Sequence, residues 1–470
     1  MHIPSFSRRR AQHRRPPRRG GTTPLWRDQP LLAWATAAVV AAILVLGGGP
    51  TRASLPYAIE FVLGIGLLGL VLWQSGGAVL RRMPWPVLGL VVALLALPLI
   101  QLVPLPPGWE QPGPARGIAT ALRALAGEAD RWQPLTLVPQ TTVQVAFSLV
   151  ILLGVLLAAL SLDTRGIRLI VALVLAVEAL TVVIGVLQLT SAGRLFDFYD
   201  SAHRLNLLGF FANRNHSAVF LGCAIPLSVA FLSTGRAPPR ALLGLSGMIA
   251  LGVLIAVFGT VSRTGIVLTV AGFLLSLLLL VPLPAGRGRL VAAASVAGAA
   301  VFGILLFTSS AVSKVFERYA DVGDDLRWRF YVRTWALVPK FLPLGGGLGS
   351  FLPIYTANEP LGDVKPTFVN NAHSDFLELL LEAGVLGLVV EVAVIATLAW
   401  CWWRLARLQP SSDRSLGLAG LIVAILFLAH SAVDYPLRRM ACAATFSLAI
   451  ALVVRPLLRR AAPLPARVRA

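Results

Sequence analysis

The feature that most constrains this chain is the recurrence of apolar runs long enough to cross a lipid bilayer. Roughly 20 apolar residues in a helix span the hydrocarbon core, and the helix pairs every backbone polar group internally. Hydrophobic residues make up 57% of the 470, charged residues 13%, and the mean hydropathy is +0.78. The chain is therefore predicted to be an all-α polytopic membrane protein with about 12 transmembrane helices. The runs lie at residues 31–47, 55–74, 85–105, 141–160, 167–190, 215–234, 241–258, 264–283, 289–308, 377–403, 415–432 and 440–458.

The basic residues indicate the orientation of these spans. The formal net charge is +20, but the arginines are spread over short loops between apolar runs, so nucleic-acid binding is not expected. Cytoplasmic loops of membrane proteins carry an excess of Lys and Arg. With both termini cytoplasmic, the N-terminal arm, the inner loops and the C-terminal tail hold 24 of the 41 Lys and Arg. Membrane lipids are the expected surroundings of every span.

On this topology the chain divides into five segments. The basic arm at the N-terminus is polar and cannot bury a core, and the first apolar run lacks a clear small-residue cleavage site, which favours an uncleaved first helix. The segments are 1–30, a disordered basic cytoplasmic arm; 31–308, spans one to nine; 309–375, a large outer loop; 376–458, spans ten to twelve; and 459–470, a basic cytoplasmic tail.

Two outer segments are predicted to contain short helices of their own. Residues 115–129 place Ile118, Leu122 and Leu125 on one face, as an interfacial helix does. In the large loop, residues 325–341 form a second amphipathic pattern rich in arginine and aromatic residues. The glycine cluster 345–350 that follows lacks the Lys-Ser/Thr ending of a phosphate loop, so we interpret it as a tight turn or re-entrant loop.

Several polar residues that hydropathy does not explain fall on the outer side. Arg263 is the most informative, because it begins an apolar run at the end where the positive-inside bias disfavours arginine. The planar guanidinium group suits phosphate, and two or three of them could clamp a pyrophosphate without a metal.

No His, Asp or Glu set has convincing metal-ligand spacing, and the three cysteines lie within apolar runs, so neither a metal nor a disulfide is expected. The candidate substrate-binding residues are Arg204, Asn213, Arg214, Asn215, Arg263, Arg327, His430 and Asp434.

His373 is the candidate catalytic residue. Ser374 can cap the helix that follows, with Asp375 and Glu378 in its first turn. The positive end of that helix and the nearby arginines favour a neutral imidazole, which can accept a proton. A neutral base beside an anion clamp suits transfer of a group from a phosphorylated lipid to a hydroxyl. Because nucleotide sugars are not expected on the outer side, the donor would have to arrive on a lipid.

Residues 200–440 resemble the O-antigen ligases and the related O-antigen and exopolysaccharide polymerases of bacterial envelopes. The resemblance depends on the order of several short phrases around one large outer loop. These phrases are Arg204 with the stretch 209–218, residues 262–265, Arg327 with Tyr331 and the stretch 343–351, residues 372–375 leading to Leu379, Glu382, Ala383 and Gly384, and residues 430–435.

The resemblance implies a metal-independent glycosyltransferase without a cofactor, in the bacterial inner membrane, that uses an undecaprenyl-pyrophosphate-linked glycan as donor. By this analogy Arg263, Arg204 and Arg327 hold the pyrophosphate, and His373 takes the proton from the acceptor hydroxyl. Two positions depart from the family pattern. Arg214 stands where an Asn-Pro-Asn-like phrase has proline, and Ser374 follows His373 where asparagine is commoner.

Three functions remain open at this stage. An O-antigen ligase would use lipid A-core as acceptor, whereas a polymerase would use another lipid-linked glycan. A transporter or lipid flippase is the alternative from another class, because Glu178 and Glu391 lie within predicted spans. Against transport, the polar residues lie at one membrane face rather than at the midplane, and no inverted repeat is evident.

Overall fold

The fold is known from a computed structural model, which describes residues 31–49, 55–75, 77–107, 114–201, 203–233, 239–281, 323–360, 362 and 369–458. Nearly all of the regular structure in these ranges is helical. The helices are α1 (Leu31–Leu46), α2 (Leu55–Ser75), α3 (Ala78–Arg82), α4 (Trp85–Leu102), α5 (Pro114–Leu125), α6 (Pro139–Ser161), α7 (Thr164–Thr190), α8 (Arg214–Gly222), α9 (Ala224–Ser233), α10 (Pro239–Gly259), α11 (Arg263–Leu280), α12 (Gly323–Phe341), α13 (Phe351–Ala357), α14 (Asp375–Ala406), α15 (Ser412–Ser431) and α16 (Met440–Val454). Two 3-10 turns, Pro436–Arg438 and Arg455–Leu457, flank α16, and β1 (Pro104–Leu105) pairs antiparallel with β2 (Gln133–Pro134).

The described helices confirm an all-α, polytopic membrane protein. Nine helical stretches in the described ranges are long and apolar enough to cross a bilayer, and α8 with α9 forms one of them. Two further apolar helices, Leu31–Leu46 and Gly244–Gly259, are shorter and coincide with the predicted first and seventh spans. The predicted ninth span, 289–308, lies outside the described residues, as do the arm 1–30 and the tail 459–470.

The centre of the bundle is formed by α15, α16 and α9, most of whose residues are buried. Close packing is possible there because small residues face each other. A side chain on Gly420 would press against the Ala449 carbonyl, and α2 meets α6 in the same way through Gly64 and Gly154. Apolar helices that are buried on all sides need such contacts, since lipid is as apolar as their own side chains.

A smaller layer, which we call the outer layer, lies over one end of the bundle. We call that end of the bundle the site face. The outer layer contains α12, α13 and the start of α14, which share a second apolar cluster that includes Leu337, Phe351 and Leu381. The predicted interfacial helix is present as α5, and the predicted helix 325–341 is present as α12. The N-termini of α8 and α11 lie at this face too.

The glycine cluster 345–350 is a tight turn, one of the two structures that its sequence predicts. Two of its backbone N–H groups donate to α14: Gly346 to the Leu381 carbonyl and Gly347 to the Glu382 carbonyl. At this contact α14 is broken by Gly384, which has φ 57°. The turn therefore packs the outer layer onto the broken helix, and the break frees carbonyls that the turn satisfies.

Candidate active site

The Asp434 carboxylate is the centre of a buried polar cluster at the site face. Asp434 follows α15 in the turn that leads to α16, and its side chain is 0% exposed. Asn215 Nδ2 donates a hydrogen bond to Oδ2 at 2.7 Å, and the Tyr435 N–H donates to Oδ1 at 2.9 Å. A buried carboxylate is costly unless it is hydrogen-bonded or paired with cations, so its other neighbours decide its charge state.

Three imidazoles and one guanidinium surround this carboxylate. His373 Nδ1 lies 3.5 Å from Oδ1, and His216 Nε2 lies 3.9 Å from the same oxygen. His430 Nε2 and an Arg327 Nη each lie 3.8 Å from Oδ2. His216 and His430 are buried, whereas the side chains of His373 and Arg327 are 20% and 23% exposed. The exposed pair is the part of the cluster that a substrate can reach.

The pKa of Asp434 lies well below its usual range. Burial alone would raise the pKa, but His373, His430 and Arg327 favour the ionised form more strongly. The same environment raises the pKa of the neighbouring Tyr435, first through burial and then through the negative charge of Asp434. The cluster therefore contains an ionised carboxylate, Asp434, next to the neutral phenol of Tyr435.

His373 is held in an uncommon backbone conformation. Its φ is 54°, in the left-handed region that residues with a side chain seldom adopt. The Tyr331 hydroxyl donates to the His373 carbonyl at 2.9 Å, and the Phe330 ring stacks on the imidazole with the centroids 5.7 Å apart. Tyr435 contacts the imidazole edge-on at 5.0 Å. The ring is thus confined on several sides, with Nδ1 3.5 Å from Asp434 Oδ1.

Asn215 joins this cluster to the helix that begins at Arg263. Ser262 is the N-cap of α11, and its hydroxyl donates to Asn215 Oδ1 at 2.8 Å. The Asn215 side chain therefore bridges Ser262 and Asp434, while its backbone N–H donates to the α8 N-cap, Asn213. The positive ends of α8 and α11 meet at this point, which favours an anion nearby.

A second ionic cluster, centred on Arg438, lies directly below the first. The guanidinium group is 3.0 Å from both Glu378 and Glu382 and 3.6 Å from Asp375. Burial by itself would lower the pKa of Arg438. The three carboxylates have the larger, opposite effect and raise the pKa above its usual value, so Arg438 stays charged. The sequence offered one signal for this cluster: residues 375, 378 and 382 lie on one helical face at the start of a span, where acids are disfavoured.

The structure brings most of the predicted site residues together. His373, Arg327, Asn215, His430 and Asp434 share the cluster, Asn213 caps α8, and Arg214 and Arg263 begin α8 and α11. His430 and Asp434 are fully buried, so in this structure they lie behind the partly exposed His373 and Arg327. Arg204 is an exposed residue of the loop between α7 and α8.

His216 also belongs to the cluster, although it is not among the candidate site residues predicted from the sequence. In the described part of the chain, no three His, Cys, Asp or Glu side chains are arranged to hold a metal ion.

Together the fold and the cluster define a polytopic membrane protein with one histidine and one arginine exposed above a buried carboxylate. Residues 247–392 match the family model described as O-antigen ligase. This match supports the predicted resemblance to the O-antigen ligases and polymerases, a family of glycan-transferring enzymes. The matched range contains Arg263, Arg327 and His373 but ends before Asp434. No curated protein matches the chain.

Proposed function

We propose that this protein transfers a glycan from undecaprenyl pyrophosphate to an acceptor hydroxyl at the periplasmic face of the inner membrane. The observation that carries the proposal is the partly exposed His373 imidazole with its Nδ1 3.5 Å from the buried Asp434 carboxylate. A carboxylate at Nδ1 favours the tautomer whose proton is on Nδ1, and this leaves the Nε2 lone pair for the substrate.

The reaction is then a displacement at the anomeric carbon. The acceptor hydroxyl gives its proton to His373 Nε2 while its oxygen bonds to the anomeric carbon, and the bond from that carbon to the pyrophosphate oxygen breaks. The electron pair leaves with undecaprenyl pyrophosphate. Asp434 stabilises the imidazolium that forms, because the carboxylate is already ionised and needs no solvent to reorganise.

Two arginines are proposed to hold the leaving pyrophosphate. Arg327 is partly exposed and lies within ion-pair distance of Asp434, so its guanidinium is close to the base. Arg263 begins α11, whose positive end adds to its charge. These cations take the place that a divalent metal has in many phosphate-dependent transferases, so transfer is expected to persist in a chelator.

The acceptor proposed is lipid A-core, as in an O-antigen ligase. A polymerase would use the same donor and the same groups with a second lipid-linked glycan as acceptor. Transport is disfavoured as the main function by the match to a glycan-transferring family and by a cluster that lies at one face.

The test is reconstitution of the purified protein with an undecaprenyl-pyrophosphate glycan and each acceptor in turn, with and without a chelator. We expect a new glycosidic bond to lipid A-core, and loss of transfer by at least about 100-fold in His373→Ala and Arg263→Ala. His203→Ala, a histidine of the loop before α8, is the matched control and should keep normal activity. Full activity in His373→Ala would remove the general-base role, and movement of glycolipid without a new bond would favour a transporter.

A further inference from the structure

The backbone around His373 is held from both sides by groups outside the reacting cluster. On the N-terminal side, the Glu378 carboxylate accepts hydrogen bonds from Asn371 Nδ2 at 2.9 Å and from the Ala372 N–H at 2.8 Å. On the C-terminal side, the Asp375 N–H donates to the backbone carbonyl of Asp434 at 3.1 Å. His373 lies between these attachments and has a positive φ, so its conformation is set by these neighbours.

Tyr331 fixes the peptide between these two attachments. Its hydroxyl lies 2.9 Å from the His373 carbonyl and 3.1 Å from the Val433 carbonyl, next to Asp434 in the chain. A single phenol thus contacts the backbone of both segments that supply the His373–Asp434 pair. Tyr331 belongs to α12, which holds it over the site.

Arg438 ties Glu378 to the same loop that carries Asp434. Its guanidinium is 3.0 Å from Glu378 Oε1, and it follows Asp434 by four residues. The Glu378 side chain is 1% exposed and that of Arg438 13%, so water weakens this pair little. The buried ion pair of Glu378 and Arg438, which we call the ionic frame, therefore connects the segment before His373 with the loop that carries Asp434.

We propose that Glu378 and Tyr331 are positioning residues that keep the His373 imidazole at its short distance from the Asp434 carboxylate. The inference rests on the proposed function, because positioning matters only if His373 is the base. Neither residue needs to contact donor or acceptor. Displacement of a catalytic group by a fraction of an ångström is enough to slow a reaction substantially, so loosening this frame should lower kcat and leave substrate binding almost unchanged.

The main test compares Glu378→Gln with Glu382→Gln in the reconstituted full-length protein. Both substitutions replace a carboxylate that lies 3.0 Å from Arg438, but Glu382 Oε1 accepts from the Phe351 N–H and does not hold the segment before His373. We expect kcat to fall about tenfold in Glu378→Gln with the KM for the donor within about twofold of normal, and a clearly smaller change in Glu382→Gln. An equal loss of kcat in the two variants would overturn the proposal.

Tyr331→Phe is the second variant, since it removes one hydroxyl and should fold even if Glu378→Gln does not. We expect a severalfold loss of kcat, and unchanged kcat would exclude a positioning role for Tyr331. In a His373→Ala background, Tyr331→Phe should cause no further loss of the residual transfer, because its effect passes through the imidazole. An additional loss of similar size there would contradict the inference.

Hydrogen exchange keeps this test separate from that of the proposed function. Exchange of the Ala372 amide, measured in peptides covering residues 369–376, should accelerate in Glu378→Gln and stay normal in Glu382→Gln. If the normal protein transferred no glycan, the proposed function would fail, while the exchange data would still decide whether Glu378 holds this segment. Unchanged exchange in Glu378→Gln would show that Glu378 does not hold the segment before His373.

Discussion

At the scale of single residues, the unusual group is the Asp434 carboxylate rather than the histidine beside it. It is completely buried and yet stays ionised, because Asn215, the Tyr435 N–H, three imidazoles and Arg327 lie around it. A charge without such neighbours would be expelled or neutralised by a proton. The enclosed negative charge can stabilise an imidazolium with little screening by water, which is what a general base needs in the transition state.

Replacement of Asp434 by asparagine tests this role. Asp434→Asn keeps the shape but loses the charge and the preference for the Nδ1-protonated tautomer, so we expect kcat to fall between about 10²-fold and 10⁴-fold. The KM for the donor should change little, because Asp434 has no exposed surface. Asp130→Asn, at an exposed loop position, is the control for a lost carboxylate and should be normal.

The same variant gives a stability prediction that depends on pH. The pKa of Asp434 in the folded protein is depressed, so its contribution to stability is present above the unfolded value of about 3.9 and is lost as pH falls through the lower folded value. The difference in thermal midpoint between the normal protein and Asp434→Asn should therefore persist from about pH 5 to pH 8. It should be lost only in stronger acid; a difference that disappeared near pH 6 would show that the carboxylate is protonated there.

At the scale of elements, the site is built where helices begin. Asn213, Ser262 and Ser374 are the N-caps of α8, α11 and α14, and each accepts a hydrogen bond from a backbone N–H of its helix. Asn215 connects the first two of these ends, and the Asp375 N–H connects the third to Asp434. Three positive helix ends at one place suit the binding of an anion such as a pyrophosphate.

The break in α14 fixes the outer layer above these helix ends. Gly384 has φ 57°, and a side chain there would overlap the Pro343 carbonyl. We expect Gly384→Ala to destabilise the protein by more than about 2 kcal/mol, because strained backbone and overlap act together. The midpoint of thermal inactivation at a fixed heating rate is the measurement. Gly66→Ala is the matched control, since the structure leaves open space around Gly66 and the midpoint should not fall.

At the scale of the whole molecule, all the groups proposed to act on substrate lie at one end of the bundle. The N-termini of α8, α11 and α14 and the C-terminus of α15 are at the site face, and the loops that carry Arg81, Arg165 and Arg407 are at the other end. The basic residues of that opposite end are those expected in the cytoplasm. Orientation therefore decides which pool of substrates the site meets.

Cysteine labelling can check this orientation, because the described native cysteines, Cys223, Cys401 and Cys442, are all buried. We expect a membrane-impermeant maleimide to label Asp197→Cys in intact spheroplasts, since Asp197 is exposed on the side of the site. Gln409→Cys, in the loop between α14 and α15, should react only after the membrane is permeabilised. The reverse pattern would place the site in the cytoplasm and remove the case for a lipid-linked donor.

The sequence by itself determined the class of fold, because the length of an apolar run is a local property that reports directly on bilayer thickness. It also located helix starts, since a cap such as Ser262 or Ser374 satisfies backbone groups only a few residues away. His373 could be selected on the same local grounds, from its place just before a capped helix.

Only the tertiary structure decided what surrounds His373. Its carboxylate partner is 61 residues further along the chain, and Asn215, which donates a hydrogen bond to that carboxylate, comes from the distant helix α8. Burial is decided in the same way: His430 and Asp434 sit in polar phrases typical of a binding loop, yet neighbouring helices enclose both. Which side chains meet, and whether water reaches them, depends on how distant helices pack, and no local pattern in the sequence encodes that packing.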